Sequence, residues 1–108
     1  LNIKPLLSLL EGTVEAAGRA RGSKKALKEM VSRLSAYRSE HPEGELVVSF
    51  IHIQDEEAAD RLRTAIGDAG IAFRDAGTYE LGAVIGVHVG PGTYGYYALA
   101  DATPELGM

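Results

Sequence analysis

Residues 46–53 read LVVSFIHI, a short run dense in β-branched side chains and apolar at almost every position. Eight residues suit a strand, and the absence of polar alternation predicts a central one covered on both faces. Asp55 then caps a helix whose buried face is Ala59, Leu62, Ala65, Ile66 and Ala69, with Gly70 where a C-terminal glycine belongs. The carboxylates of Asp55, Glu56 and Glu57 form a cluster, but acidic residues in a first turn simply suit the helix dipole. Residues 71–77 read as another strand, which makes 46–77 a strand, helix, strand unit with a right-handed crossover.

The N-terminal part is read around a second periodic stretch. Leu27, Met30, Val31, Leu34 and Tyr37 recur with helical spacing, which predicts a helix starting at an N-cap Ser23 and ending before His41-Pro42, its stripe facing the core. Before it, the apolar run at 3–10, the Glu11-Gly12 turn signal and an extended segment at 13–20 suggest a hairpin over residues 2–20, with Pro5 pushing the first strand toward an edge. Residues 81–90 fit a short helix by spacing and a strand by β-branched content; Gly90-Pro91-Gly92 ends the segment, and 93–100 resume as a final strand. The expected architecture is an α/β two-layer sandwich: a mixed β-sheet of five or six strands with two main helices.

A length of 108 residues supports one domain with one core. The chain has no cysteine, which excludes disulfides and thiolate metal sites. No apolar stretch is long enough to span a bilayer and no signal-peptide pattern opens the chain, so the expected location is cytoplasmic. A net charge of -4 argues against nonspecific nucleic-acid binding as the main task. That charge is unevenly placed: residues 1–40 hold eight basic and four acidic residues (+4), and residues 41–108 hold three basic and eleven acidic (-8).

Arg19, Arg21, Lys24, Lys25 and Lys28 crowd the expected start of the first helix, where cations oppose the dipole. Two readings fit: a solvated basic face, or a place where a carboxylate, a phosphate or an acidic partner docks against exposed N–H groups and basic side chains. His88 lies in His88-Val89-Gly90-Pro91-Gly92-Thr93, where the glycines let backbone approach a ligand closely. As a bare pattern this fits a structural histidine or an oxyanion donor. His52 ends the central strand and reads as a packed residue, and His41 as a surface residue at a helix end. The three histidines have no metal-ligand spacing, and the P-loop, GxGxxG and GxSxG patterns are absent.

Three ordered motifs, LNIKPLLSLLEG at 1–12, GRARGSKKAL at 18–27 and ELGAVIGVHVGPGTYGYY at 80–97, resemble the C-terminal half of the DegV family of bacterial lipid-binding proteins, over essentially the whole chain. That family includes the fatty-acid-binding subunits of bacterial fatty acid kinases. The resemblance implies that residues 1–108 are one domain, the second of a two-domain protein, and it accounts for a chain that opens at Leu1. It implies a long-chain fatty acid as ligand, no metal or other cofactor, no catalysis by this chain, and a kinase subunit as partner. Residue by residue, His88 matches the histidine that hydrogen-bonds the fatty-acid carboxylate. Arg21, in Arg-x-x-Lys-Lys-Ala, matches a basic position near the head group and kinase partner. Arg19 and Lys25 flank it, and Gly90, Pro91, Gly92 and Thr93 form the loop of close backbone approach. The family's hydroxyl ligands come from the other domain and match nothing here. Val89 departs from the family's usual threonine, and Tyr94, Tyr96 and Tyr97 are bulkier than the aliphatic residues common after the loop, so they are expected to reshape the cavity.

Magnitudes divide the labour within such a site. Burying roughly a dozen methylenes is worth on the order of 10 kcal/mol before ordering costs, while one charge-assisted hydrogen bond adds about 1.5–3 kcal/mol. The tail then sets affinity and His88 sets orientation. The readings of a different class are an enzyme using His88 as acid or base on a small substrate, and an interaction domain with no ligand of its own; no nucleophile, metal set or carboxylate dyad accompanies His88.

Overall fold

A computed structural model describes residues 4–10, 16–81 and 92–101, with backbone only for 16–23. The elements run in the order β1 (Leu6–Leu10), α1 (Ala16–Glu40), β2 (Glu45–His52), α2 (Glu56–Asp68), β3 (Arg74–Glu80) and β4 (Tyr94–Asp101). The described strands form one mixed sheet in the order β1-β4-β2-β3: β4 is antiparallel to both β1 and β2, and β3 is parallel to β2. The α/β class, the two helices and the mixed sheet are as expected, but the described sheet has four strands rather than five or six.

The apolar run forms the interior strand β2, flanked by β4 and β3. Its two faces are unequal. Leu46, Val48, Phe50 and His52 are buried, whereas Val47, Ser49 and Ile51 are only half-buried. Among the described residues the helices cover one face, and the other face of β2 is half-buried where full cover on both sides was expected. On the covered face Met30, Leu34 and Tyr37 of α1 and Ala58, Ala59, Leu62 and Ile66 of α2 pack with Val48, Phe50, Tyr96 and Ala98. The other face carries Leu7 (57% exposed), Leu9 (40%), Tyr97 (43%) and Tyr79 (55%). Leu7 pairs with Tyr97 across β1 and β4, and Ile51 pairs with Tyr79 across β2 and β3, so the open face is apolar across all four strands.

Local chemistry explains the boundaries. The Asp55 side chain accepts the Ala58 N–H and caps α2 as expected, and Gly70 takes φ +81 just past the helix, bonded back to Gly67 O. Helix α1 begins at Ala16, so Ser23 lies inside it and is no N-cap. Residues 16–21 are mostly Ala and Arg, both strong helix formers, and that propensity prevails over the extended reading. The expected hairpin over 2–20 is likewise corrected, because β1 pairs with β4 while 16–20 are helical; Glu11-Gly12 lies outside the described residues.

The strand expected at 71–77 is shifted to Arg74–Glu80. Ile71 and Phe73 pack against the core instead of joining the ladder, with the Phe73 ring edge-on to Phe50 at 5.9 Å. The choice between helix and strand for 81–90 falls, beyond Leu81, outside the described residues.

Candidate functional site

Three chain segments meet at one end of the sheet. β2 stops at His52 and β3 at Glu80, and because they are parallel their carboxyl ends lie side by side; β4 begins there at Tyr94, opposite His52. Backbone bonds tie the segments together: Leu81 N–H donates to His52 O (2.9 Å), Ile53 N–H to Thr93 O (2.8 Å) and Gly92 N–H to Ile53 O (2.8 Å). Gly92 does this at φ +93, a conformation open to glycine and costly for other residues. In open α/β sheets, ligands gather at the carboxyl ends of strands.

The turn leaving β2 is held by side chains. Gln54 takes a left-handed φ of +53, and its N–H donates to Glu80 Oε2 at 3.3 Å. Asp55 N–H donates to His52 Nδ1 at 3.0 Å, while Asp55 Oδ1 accepts Ala58 N–H at 3.2 Å. A ring nitrogen that accepts a hydrogen bond carries no proton, so the hydrogen of this imidazole sits on Nε2. His52 is 8% exposed and Tyr94 6%. Burial pushes the Tyr94 phenol above its ordinary range; the Arg61 charge pulls it down and the Asp55 charge pushes it up.

The basic strip is oriented by contacts at the other half of α1. The Tyr37 hydroxyl accepts Ala100 N–H (3.1 Å) and donates to Lys4 O (2.9 Å), and the Tyr96 hydroxyl donates to Met30 O (2.7 Å). Moving from Tyr37 back to Met30 on α1 thus follows β4 back from Ala100 to Tyr96. The N-terminal half of α1 therefore runs toward the sheet end at which β4 begins. Lys24, Lys25 and Lys28 are exposed on that half; Arg19 and Arg21 lie on α1, their side chains outside the described residues. Since α1 starts at Ala16, Lys24 and Lys25 are not in its first turn, and the expected cost against the dipole does not arise. Between the helices, Leu27, Asp60, Arg61, Thr64, Ala65 and Asp68 line an open groove of about 400 Å³.

Of the expected loop, Gly92 and Thr93 are described, with Thr93 fully buried; His88, Gly90 and Pro91 lie outside the described residues. Two further polar residues are buried at this end: His52, packed as read from the sequence, and Tyr94, one of the tyrosines expected to reshape the cavity. The available signal was His52 at a strand end, three residues before a capping Asp55. His41, at the far end of α1, packs its ring on Tyr37 at 4.8 Å. Among the described residues there is no group of three or more metal-ligating side chains and no helix long and apolar enough to cross a membrane.

Comparison with known proteins bears on this arrangement. A family model described as "Uncharacterised protein, DegV family" matches residues 1–101. A DegV domain-containing protein of Deinococcus radiodurans is 42% identical over 95 residues, covering 88% of this chain and 33% of that protein. A solved DegV family structure from Thermus thermophilus, described as fatty acid binding, matches with TM-score 0.66 and 44% identity over 94% of this chain and 35% of that one. A Thermotoga maritima structure described as revealing fatty acid binding function matches with TM-score 0.54 and 28% identity over 73% of this chain and 28% of that one. The chain spans about a third of the length of the relatives it matches. With a family match over nearly every residue, and the same α/β layering in the solved relatives, this chain belongs to the DegV family.

Proposed function

We propose that the chain is the second domain of a two-domain fatty-acid-binding protein and holds a long-chain fatty acid without chemistry of its own. The observation that carries this reading is the open sheet face with Leu7, Leu9, Tyr79 and Tyr97, an apolar surface that the described helices leave uncovered. An apolar face of this kind on a small domain calls for an apolar cover. A long acyl chain, closed over by the rest of the polypeptide, supplies one. Fatty acid binding in the Thermus thermophilus relative supports the same ligand class.

The head group belongs at the sheet end where Gly92 and Thr93 bond to Ile53, because the stretch bearing His88 rejoins the sheet there. In this reading His88 donates to the carboxylate, and Gly90, Pro91, Gly92 and Thr93 bring backbone close to it. Arg21, with Arg19 and Lys25 beside it, draws in the anionic head and docks a kinase partner that phosphorylates the presented carboxylate. The direction of α1 supports this, since its basic half runs toward the same end.

The test is mass spectrometry of lipid extracted from the purified full-length protein. A stoichiometric long-chain fatty acid is expected, and absence of any lipid counts against the reading. His88→Ala is expected to lose the fatty acid while its circular dichroism stays unchanged, and undiminished retention removes His88 from the site. Phosphorylation of the bound acid by an added fatty acid kinase checks the presenting role.

A further inference from the structure

We infer that Glu45 and Arg74, with Asp101 beside them, form the far boundary of the acyl-chain face and set the longest fatty acid that it takes. The inference rests on the fatty-acid reading and adds to it a limit on chain length. Alternation along the paired strands places all the residues concerned on the open face. Ile51 pairs with Tyr79 at the head-group end, Leu7 with Tyr97 across the middle, and Val47 with Leu99 beyond them. At the next pair on this face the chemistry changes. Glu45 lies opposite Asp101, and Arg74, whose partner across the sheet is Val47, donates from Nε to Glu45 Oε1 at 3.2 Å. Both side chains of this ion pair are more than half exposed. Among the described residues the apolar face thus ends in charge on the side opposite the junction of Ile53 with Gly92 and Thr93.

Lengthening the ligand has opposite effects on the two sides of that boundary. A methylene laid over Val47 or Leu99 exchanges water for apolar surface and adds affinity. One laid over Glu45 and Arg74 strips water from two hydrated charges whose attraction for each other is modest at the surface, so it weakens binding. Distance turns the boundary into a ruler. Six residue steps separate Ile53 from Val47, about 20 Å at the rise of a strand, and eight separate it from Glu45, about 26 Å. Carbon–carbon bonds of about 1.5 Å advance an extended zigzag chain by about 1.3 Å per carbon, so about sixteen carbons end over Val47 and about twenty reach the charged row.

Length selection by the full-length polypeptide tests this. Dissociation constants for hexadecanoate and icosanoate are measured beside thermal melting, and wild type is expected to bind hexadecanoate about tenfold tighter or more. Glu45→Leu combined with Arg74→Leu carries apolar surface past the boundary and is expected to tighten icosanoate about tenfold, closing the gap. Glu45→Arg combined with Arg74→Glu exchanges the charges but keeps a charged row, so discrimination against icosanoate is expected to persist. Val47→Phe fills the last apolar row and is expected to weaken hexadecanoate more than dodecanoate. Equal wild-type affinity for hexadecanoate and icosanoate overturns the inference, as does an unchanged ratio in the leucine pair, and either leaves the fatty-acid reading in place. Should the leucine pair fail to melt cooperatively, Val47→Phe decides, because equal weakening of hexadecanoate and dodecanoate also overturns the ruler. Wild-type protein that binds none of the three acids overturns the fatty-acid reading itself, and with it this one.

Discussion

A methyl group placed on Gly95 would lie 2.0 Å from the Ser8 carbonyl oxygen and 2.8 Å from Leu9 Cδ2, both on the neighbouring strand β1. Backbone cannot yield as a flexible side-chain tip does, so Gly95→Ala forces β1 away from β4 and is expected to cost about 2–3 kcal/mol. Gly67, in the last turn of α2, has nothing within 4 Å of the same methyl. There Gly67→Ala is expected to add about 0.5–1 kcal/mol by restricting the unfolded chain and favouring the helix. Urea midpoints should move in opposite directions for the two variants, and parallel shifts would contradict the packing described. Nothing in the residue alphabet distinguishes these glycines; the difference is the distance to a strand more than eighty positions away in sequence. For the same reason His52 reads as an ordinary packed residue in the chain, because its partner, Asp55 N–H, is presented by the left-handed turn at Gln54.

Elements marked by local pattern are where the sequence reads best. β2, the capped helix α2, the Met30, Leu34 and Tyr37 stripe of α1 and the strand starting near Thr93 all carry their own periodicity or capping residue, and each is present. The early part of α1 carries none, because Ala-Ala-Gly-Arg-Ala-Arg has helix propensity without an apolar stripe. β3, with the sequence RDAGTYE, is held largely by polar contacts that no hydrophobic pattern announces. Arg63 of α2 joins Asp60 at 2.5 Å, Asp75 at 2.6 Å and the Thr78 hydroxyl, and its guanidinium stacks 4.5 Å over the Phe50 ring. Burial alone would raise the Asp75 carboxyl, but the Gly77 N–H and Arg63 overcome it and hold the group below its ordinary range. A carboxyl lowered in the folded state contributes stability above its unfolded pKa and loses that contribution as pH falls through the folded value. Arg63→Met is therefore expected to cost about 1–2 kcal/mol at neutral pH, with the gap to wild type narrowing below roughly pH 4. Urea titrations at pH 7 and pH 3 check this; a gap that stays constant in acid would mean that packing on Phe50, and not the Asp75 pair, supplies the effect.

Among the described residues the whole molecule is a sheet clothed on one side, and its open side predicts how it behaves when nothing closes over it. Leu7 on the edge strand β1 and Tyr79 on the opposite edge strand β3 are the two most exposed large apolar side chains described, so stickiness extends to both margins of the face. An exposed apolar sheet face that reaches the outermost described strands favours pairing with another copy. The 108-residue chain, produced by itself, is expected to bind an environment-sensitive apolar dye and to sediment as a species that grows with concentration. Leu7→Lys combined with Tyr79→Lys places charge at both margins without touching the core packed against α1 and α2, so it should leave the far-ultraviolet circular dichroism unchanged, cut dye binding severalfold and shift sedimentation toward the monomer. A wild-type chain that stays monomeric across the concentration range and binds no dye would mean that the face is closed in solution, and the place proposed for the acyl chain would then have to move from the open face to the helix-covered one.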